Sequence, residues 1–230
     1  AVGSDLWHMS NLLLYLGFKP PEYDFGLKLS MTLGHRFIYI GADNRRFINE
    51  QWPGTHHGKH ERYGYWFPIQ FPLPIHAIFD EKMRRSGPLN VDREQGSPWG
   101  WAYQIGGYVW SDDNRVELEK GWIARADTLR ELATKIGRDP DAVEATVRQY
   151  NEYCAAGVDP EFGRGADPGL GKVKSLADAR NGPPSVMGKV KARLESIDTP
   201  PYYAIEGKPQ ILNTQGGPRR NKYAQVLDTK

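Results

Sequence analysis

The residue types most suited to chemistry cluster toward the end of the sequence: Pro200-Pro201-Tyr202-Tyr203-Ala204-Ile205, then Asn213-Thr214-Gln215-Gly216-Gly217. Glycine lacks Cβ, so two adjacent glycines let a backbone approach a flat ligand closely with its N–H groups aimed at it. Asn213 can donate and accept hydrogen bonds but carries no charge. Read from the residues alone, Tyr202 and Tyr203 are equally consistent with core tyrosines whose hydroxyls bond to backbone. Arg84 stands three and four residues after Glu81 and Asp80, a spacing that also suits a plain surface ion pair. His56, His57 and His60 invite a metal reading. Pro53, Gly54 and Gly58 argue against the helix that an i, i+4 ligand pair needs, and no cysteine lies nearby, so a solvated loop is expected and no metal site. The single Cys154 forms no internal disulfide, fits a reducing compartment, and reads as a small core hydrophobe.

Elements must exist to hold these residues. Leu6–Leu16 reads as a short helix, and Phe37–Ile40 with Arg46–Ile48 as a hairpin around Gly41-Ala42-Asp43-Asn44. Residues 51–75 read as a loop rich in Gly, His, Pro and aromatics, with Tyr63, Tyr65, Trp66 and Phe67 covering a core or lining an apolar entrance. Ile75–Phe79 is a buried strand, and Asp80–Arg85 one helical turn. Residues 86–110 are irregular, with Trp99, Trp101 and Trp110 packed against whatever covers that loop.

A helical hairpin is the strongest local pattern. Asp127 is placed to cap a helix through Lys135 that ends at Gly137, and Asp139-Pro140 to start a second. In the second, Val143, Val147, Tyr150 and Cys154 form an apolar stripe, and Gly157 stops it. Residues 159–197 read as a glycine-rich surface excursion, and residues 223–230 as a strand running into a turn. The glycine-rich dinucleotide fingerprint is absent: Gly106-Gly107 lacks its spacing.

The net charge of +2, from 30 Lys and Arg against 28 Asp and Glu, gives no electrostatic case for nucleic acid or an anionic membrane. No apolar run approaches the roughly 20 residues that span a bilayer. These features predict a soluble, cytoplasmic protein with a core of its own and much loop, given 25 glycines and 17 prolines in 230 residues. The start at Ala1 without a methionine, and a final strand without its return partner, suggest a fragment of a longer polypeptide.

Three blocks, in order, resemble the fumarate reductase and succinate dehydrogenase flavoprotein family, which includes ketosteroid dehydrogenases. Arg45-Arg46-Phe47-Ile48-Asn49-Glu50 is similar to the family's G-x-R-F-x-N-E stretch, and Ile78-Phe79-Asp80-Glu81-Lys82-Met83-Arg84 to its strand and turn ending in arginine. The third block runs from the helical hairpin through Gly157-Val158-Asp159-Pro160-Glu161-Phe162-Gly163-Arg164. It continues to Pro201-Tyr202-Tyr203-Ala204, Asn213-Thr214-Gln215-Gly216-Gly217 and Gln225-Val226-Leu227-Asp228.

The resemblance implies the family's substrate-capping domain and the edges of its FAD domain. Residues 1–50 lead from the FAD domain into the cap, 51–198 form the cap, and 199–230 return toward the FAD domain. The fold implied is α+β, a small mixed or antiparallel sheet with the helical hairpin packed on it. FAD is expected in the full-length parent, and the remaining FAD-binding segments of that parent would be partners of this piece. The fragment itself is expected to be inactive.

In site terms, the resemblance puts Arg84 at the proton donor's position, with Arg85 leaving the register open, and offers Glu50 as a carboxylate that reloads it. Guanidinium holds its proton above a pKa of about 12, which is why a relay is needed. Asn213, Thr214 and Tyr203 (or Tyr202) would meet a small-molecule carbonyl substrate, and Asn49, Gly216 and Gly217 the cofactor. Asn213 stands where the reductase branch has a carboxylate-binding histidine, which favours recognition of a neutral oxygen. The competing expectation is a non-catalytic ligand-binding or interaction domain with a cap-like fold.

Overall fold

The computed structural model describes residues 13–22, 27–28, 36–50, 59–62, 65–68, 71–89, 108–165, 194–213, 221–223 and 225–227. Its strands are β1 (Leu13–Phe18), β2 (Leu27–Lys28), β3 (Phe37–Ile40), β4 (Lys59–Arg62), β5 (Tyr65–Pro68), β6 (Ile75–Asp80), β7 (Ala124–Ala126) and β8 (Tyr202–Asn213). The helices are α1 (Glu81–Arg85), α2 (Arg115–Glu119), α3 (Leu129–Lys135) and α4 (Pro140–Ala156). One antiparallel sheet runs β2-β1-β8-β6-β3, with β7 also on β8, and β4–β5 make a separate hairpin. The fold is therefore α+β, as expected from the sequence.

β8 is the spine. Its twelve residues pair with β6 through positions 202–207 along one edge. Along the other edge, β7 takes positions 202–204 and β1 takes 208–213. Strand alternation then sorts the core into two layers. Phe37, Tyr39, Phe79, Tyr203 and Ile205 face an aromatic layer with Phe18, Met83, Leu89, Trp110 and Trp122. Ile38, Ile40, Ile78 and Ala204 face the opposite way, onto Leu132, Ala133, Val143, Val147 and Tyr150 of the α3–α4 hairpin. Successive residues Tyr202 and Tyr203 consequently point to opposite layers, and only Tyr203 is fully buried.

The hairpin follows its sequence signals closely. Asp139 accepts from Asp141 N, Pro140 opens α4, and Gly157 closes it in the left-handed conformation, φ 70°. The first cap is one residue later than expected. Thr128 Oγ1 accepts from Glu131 N (3.1 Å) while the Glu131 carboxylate accepts from Thr128 N (3.2 Å), a reciprocal capping box. Asp127 instead pairs with Arg125.

Four other expectations are corrected. Leu13–Phe18 is a strand rather than the end of a helix, because pairing with β8 outweighs the local helical pattern of an aliphatic run. The region 51–75 contains the β4–β5 hairpin around a two-residue connection. The expected hairpin across Gly41 shrinks to a single Ile40–Arg46 bridge, since β3 pairs with β6 and Arg46 is drawn into a buried ion cluster. In the described part of the strand expected over 223–230, Asn221 N–H closes a turn on Gln225 O at 3.0 Å, and Val226 alone of the described residues there sits in a β-bridge.

Candidate functional site

The β6–α1 junction and the entry to β8 meet at one end of the sheet. Asp80 is the N-cap of α1 and fully buried. Its Oδ1 accepts from Met83 N (3.0 Å), and its Oδ2 accepts from Asp198 N and Thr199 N (3.2 Å each). Burial raises its pKa, against the pull of those N–H groups. Glu81 N donates to Thr199 O at 3.0 Å, so the two segments are laced together from both sides.

Glu81 is the centre of what this lacing positions. Arg84 Nε donates to Glu81 Oε2 and Nη2 to Oε1, both at 2.6 Å. Tyr203 O–H donates to the same Oε2 at 2.5 Å, and Arg85 Nε to Oε1 at 2.7 Å. These bonds, Arg84's first, push the Glu81 carboxyl down to about 2. Arg84 is held protonated well above its ordinary range by the same pairing. Burial, then Glu81, raises the Tyr203 phenol. Its ring stacks on Phe79 at 5.4 Å, with the Arg84 guanidinium 5.9 Å from its centre. The cluster is a buried phenol in contact with a half-buried carboxylate and a half-buried guanidinium. Such a group can donate a hydrogen bond to a ligand oxygen and stabilise charge that develops there.

Of the sequence-predicted residues, Arg84 and Tyr203 are thus brought together, through Glu81. The short-range pairing of Arg84 with Glu81 was readable from its i, i+3 spacing. The Tyr203 hydroxyl bonds to a carboxylate rather than to backbone.

Glu50 is not brought to Arg84. Its carboxylate accepts from Arg46 Nε (2.7 Å) and Nη2 (2.8 Å) and from Arg164 Nη1 (3.1 Å). Arg46 also donates to Asp159 (2.8 Å), and Arg164 Nη1 to Phe37 O (2.6 Å). Both guanidinium groups lie 5.1 Å from the centre of the Tyr150 ring. Asp159 is held ionised: burial raises it, but the Arg46 bond and the N–H groups of Phe162 and Arg164 outweigh that. This balanced quartet joins the turn after β3 to the loop after α4, across more than 100 residues of sequence.

Asn49 belongs to the same region, its amide donating to Phe162 O at 3.2 Å. Asn213 ends β8 opposite Leu13. Thr214, Gly216, Gly217, His56 and His57 lie outside the described residues, and His60 is on β4. The described sheet is antiparallel throughout, with no parallel βαβ crossover, and the Asn49 amide faces protein. Of the residues that the resemblance assigns to FAD, Asn49 has its amide bonded to Phe162 O, and Gly216 and Gly217 lie outside the described residues.

Sequence reasoning missed Asn114 and Glu117, both fully buried. The Glu117 carboxylate accepts from Tyr108 O–H (2.6 Å), Ser111 N (2.9 Å) and the Ser111 hydroxyl. Neither stands in a recognisable motif, and their partners are set by the loop that covers the aromatic layer. Among the described residues no helix is long and apolar enough to cross a membrane.

No protein-family model matches the chain. It is 29% identical over 194 residues to a 3-oxosteroid 1-dehydrogenase of Mycobacterium tuberculosis H37Rv, covering 83% of this chain and 30% of that protein. Its fold matches the crystal structure of 3-ketosteroid delta1-dehydrogenase from Sterolibacterium denitrificans in complex with 1,4-androstadiene-3,17-dione, with a TM-score of 0.57 and 26% identity. That match covers 95% of this chain and 35% of the other. The open conformation of a flavocytochrome c3 fumarate reductase matches in fold alone, with a TM-score of 0.53 and 20% identity over 96% of this chain and 29% of that one. Over most of its length the chain thus resembles flavoproteins of the fumarate reductase and ketosteroid dehydrogenase kind, and it spans about a third of the length of these three proteins.

Proposed function

We propose that this chain is the substrate-capping part of a longer, cytoplasmic FAD-dependent oxidoreductase acting on a CH–CH or C=C bond beside a carbonyl. The observation that carries the reading is Tyr203 and Arg84 meeting on one carboxylate, Glu81, in a chain similar to 3-oxosteroid 1-dehydrogenase. With its carboxyl pushed down to about 2, Glu81 takes no proton from Tyr203 at neutral pH. Tyr203 therefore stays a phenol and serves as a hydrogen-bond donor rather than a base. When a substrate carbonyl oxygen is present, the single O–H that rests on Glu81 turns to it, and that donation acidifies the adjacent C–H or makes a conjugated carbon more electrophilic. Arg84, firmly protonated, keeps Glu81 ionised and sets a positive charge beside the oxygen where negative charge develops.

Asn213 and Thr214 complete the substrate contacts in this reading, and the neutral amide of Asn213 suits a ketone better than a dicarboxylate. Glu50 supports the site from the buried quartet, and the backbone beside Asn49, whose amide is bonded to Phe162 O, forms with Gly216 and Gly217 the edge turned toward the flavin. Residues 1–50 and 199–230 connect the cap to an FAD domain supplied by the rest of the longer protein. FAD, when bound there, provides the two-electron acceptor or donor.

Two measurements test this. The chain purified alone should carry no stoichiometric flavin absorbance and show no turnover; a yellow, active chain contradicts the reading. The flavin-loaded longer protein should turn over a cyclic 3-oxo ketone in preference to fumarate. A preference of about tenfold or more for the dicarboxylate contradicts recognition of a neutral carbonyl.

A further inference from the structure

Asn114 stands at the N-cap of α2 in the left-handed conformation, φ 60° and ψ 15°, yet makes no capping bond to that helix. Its side chain turns inward and is fully buried. Oδ1 accepts from Leu89 N and from Trp110 Nε1, both at 2.8 Å. Nδ2 donates to Arg84 O and to Gly87 O, both at 2.9 Å. An asparagine amide has two donors and two acceptor lone pairs, and all four are used. Its neighbour contributes as well, because Asp113 O accepts from Arg84 Nη1 at 2.8 Å. Residues 113 and 114 thus grip Arg84 at both its backbone and its guanidinium, 29 and 30 residues along the chain.

We propose that Asn114 is a positioning residue for Arg84, setting where its guanidinium meets Glu81 and Tyr203; this rests on the reading of that trio as the reacting site. Two properties make asparagine the residue for this place. It visits the left-handed region at lower cost than other side chains. It is also the residue of this size that offers two donors and two acceptors from one planar group. Aspartate keeps the shape and the acceptors but loses the donors to Arg84 O and Gly87 O. The bond to Trp110 is made by Oδ1 and not by the Nδ2 that reaches Arg84 O, so removing it should leave Arg84 where it is.

The test uses the whole chain and the Arg84 Nε–H resonance, assigned by its loss in Arg84→Lys. In the parent protein that N–H, bonded to Glu81, should exchange slowly with solvent. Asn114→Asp should shift the resonance and speed its exchange about tenfold or more, whereas Trp110→Phe should leave both unchanged. An unaltered Arg84 signal in folded Asn114→Asp overturns the proposal, and so does an equal loss in Trp110→Phe. If Asn114→Asp does not fold, the unsubstituted chain decides. Asn114 Nδ2 and Arg84 Nε–H protection should then fall together as urea is added below the unfolding transition, and separate loss overturns the proposal.

In the flavin-loaded longer protein, Asn114→Asp should lower kcat about tenfold or more with KM within about twofold. Arg84→Lys measured beside it separates the two claims. If Arg84→Lys keeps full turnover, the reading of the site fails while the resonance still reports on the grip. If Arg84→Lys loses turnover and Asn114→Asp does not, the positioning role fails.

Discussion

Replacing Glu50 with glutamine separates a carboxylate that supports the fold from one that relays protons. The wild-type quartet holds two guanidinium groups and two carboxylates, with Arg46 7% exposed, Glu50 5%, Asp159 4% and Arg164 1%, and the more exposed Glu161 carboxylate lies 3.8 Å from Arg46. Glu50 alone takes three of the charge-assisted bonds, at 2.7, 2.8 and 3.1 Å. Glu50→Gln removes one of the two buried carboxylates that face Arg46 and Arg164, and it points an amide N–H₂ at one of the arginines. Breaking a buried pair by removing one partner costs about 3–5 kcal/mol. For a chain of this size each kcal/mol moves Tm by about 2–4 °C, so the melting midpoint should fall by roughly 6–20 °C. Far-UV circular dichroism at fixed pH, paired with a urea midpoint, reads this directly. A midpoint within about 2 °C of the parent would refute the reasoning, because it would mean that water reaches the quartet or that the pairs contribute little. A loss of turnover with full stability would restore Glu50 as a relay.

Other outcomes follow from single contacts. A Cβ added at Gly41 would lie 2.3 Å from Pro72 Cγ, beside a backbone bond from Ala42 N to Pro72 O at 2.8 Å, so Gly41→Ala should destabilise by about 1–3 kcal/mol in urea unfolding. Thr128→Ala removes one half of the capping box and should cost about 1 kcal/mol by the same measure. Burial, then Arg138, pushes the His76 imidazole down to about 4 from an ordinary 6.5. The unfolded chain therefore binds this proton more readily. The stability is complete above about pH 6.5 and is lost as pH falls toward 4, and His76→Asn should flatten that part of the stability–pH curve.

Local chemistry explains what was legible in the sequence. Pro140 and Gly157 bracket a helix whose apolar stripe, Val143, Val147 and Tyr150, needs no distant information. The α1 turn is similar, since Asp80 caps it and Glu81 meets Arg84 within three residues. The ordered motifs carried the family, though no one of them is specific alone. Contacts distant in sequence were not legible. Leu13–Phe18 has the composition of a helix end and becomes a strand because residues 208–213 are there to pair with it. Glu50 is the last residue of a family motif, yet its partner Arg164 is 114 residues away. That separation is why the motif suggested Arg84 and the fold chose otherwise. Asn114 carries no motif at all; its role exists only once the covering loop folds back over α1.

The Tyr203 hydroxyl is where the account commits most. Tyr203→Phe removes one oxygen and leaves the Phe79 stacking and the Arg84–Glu81 pair in place. Measured in the flavin-loaded longer protein with a 3-oxo ketone as substrate, kcat should fall by about 10²–10³, the effect of losing one donor to a developing oxyanion, with flavin content unchanged. Turnover within about twofold of the parent, at equal flavin content, would contradict the assignment of this cluster as the reacting site.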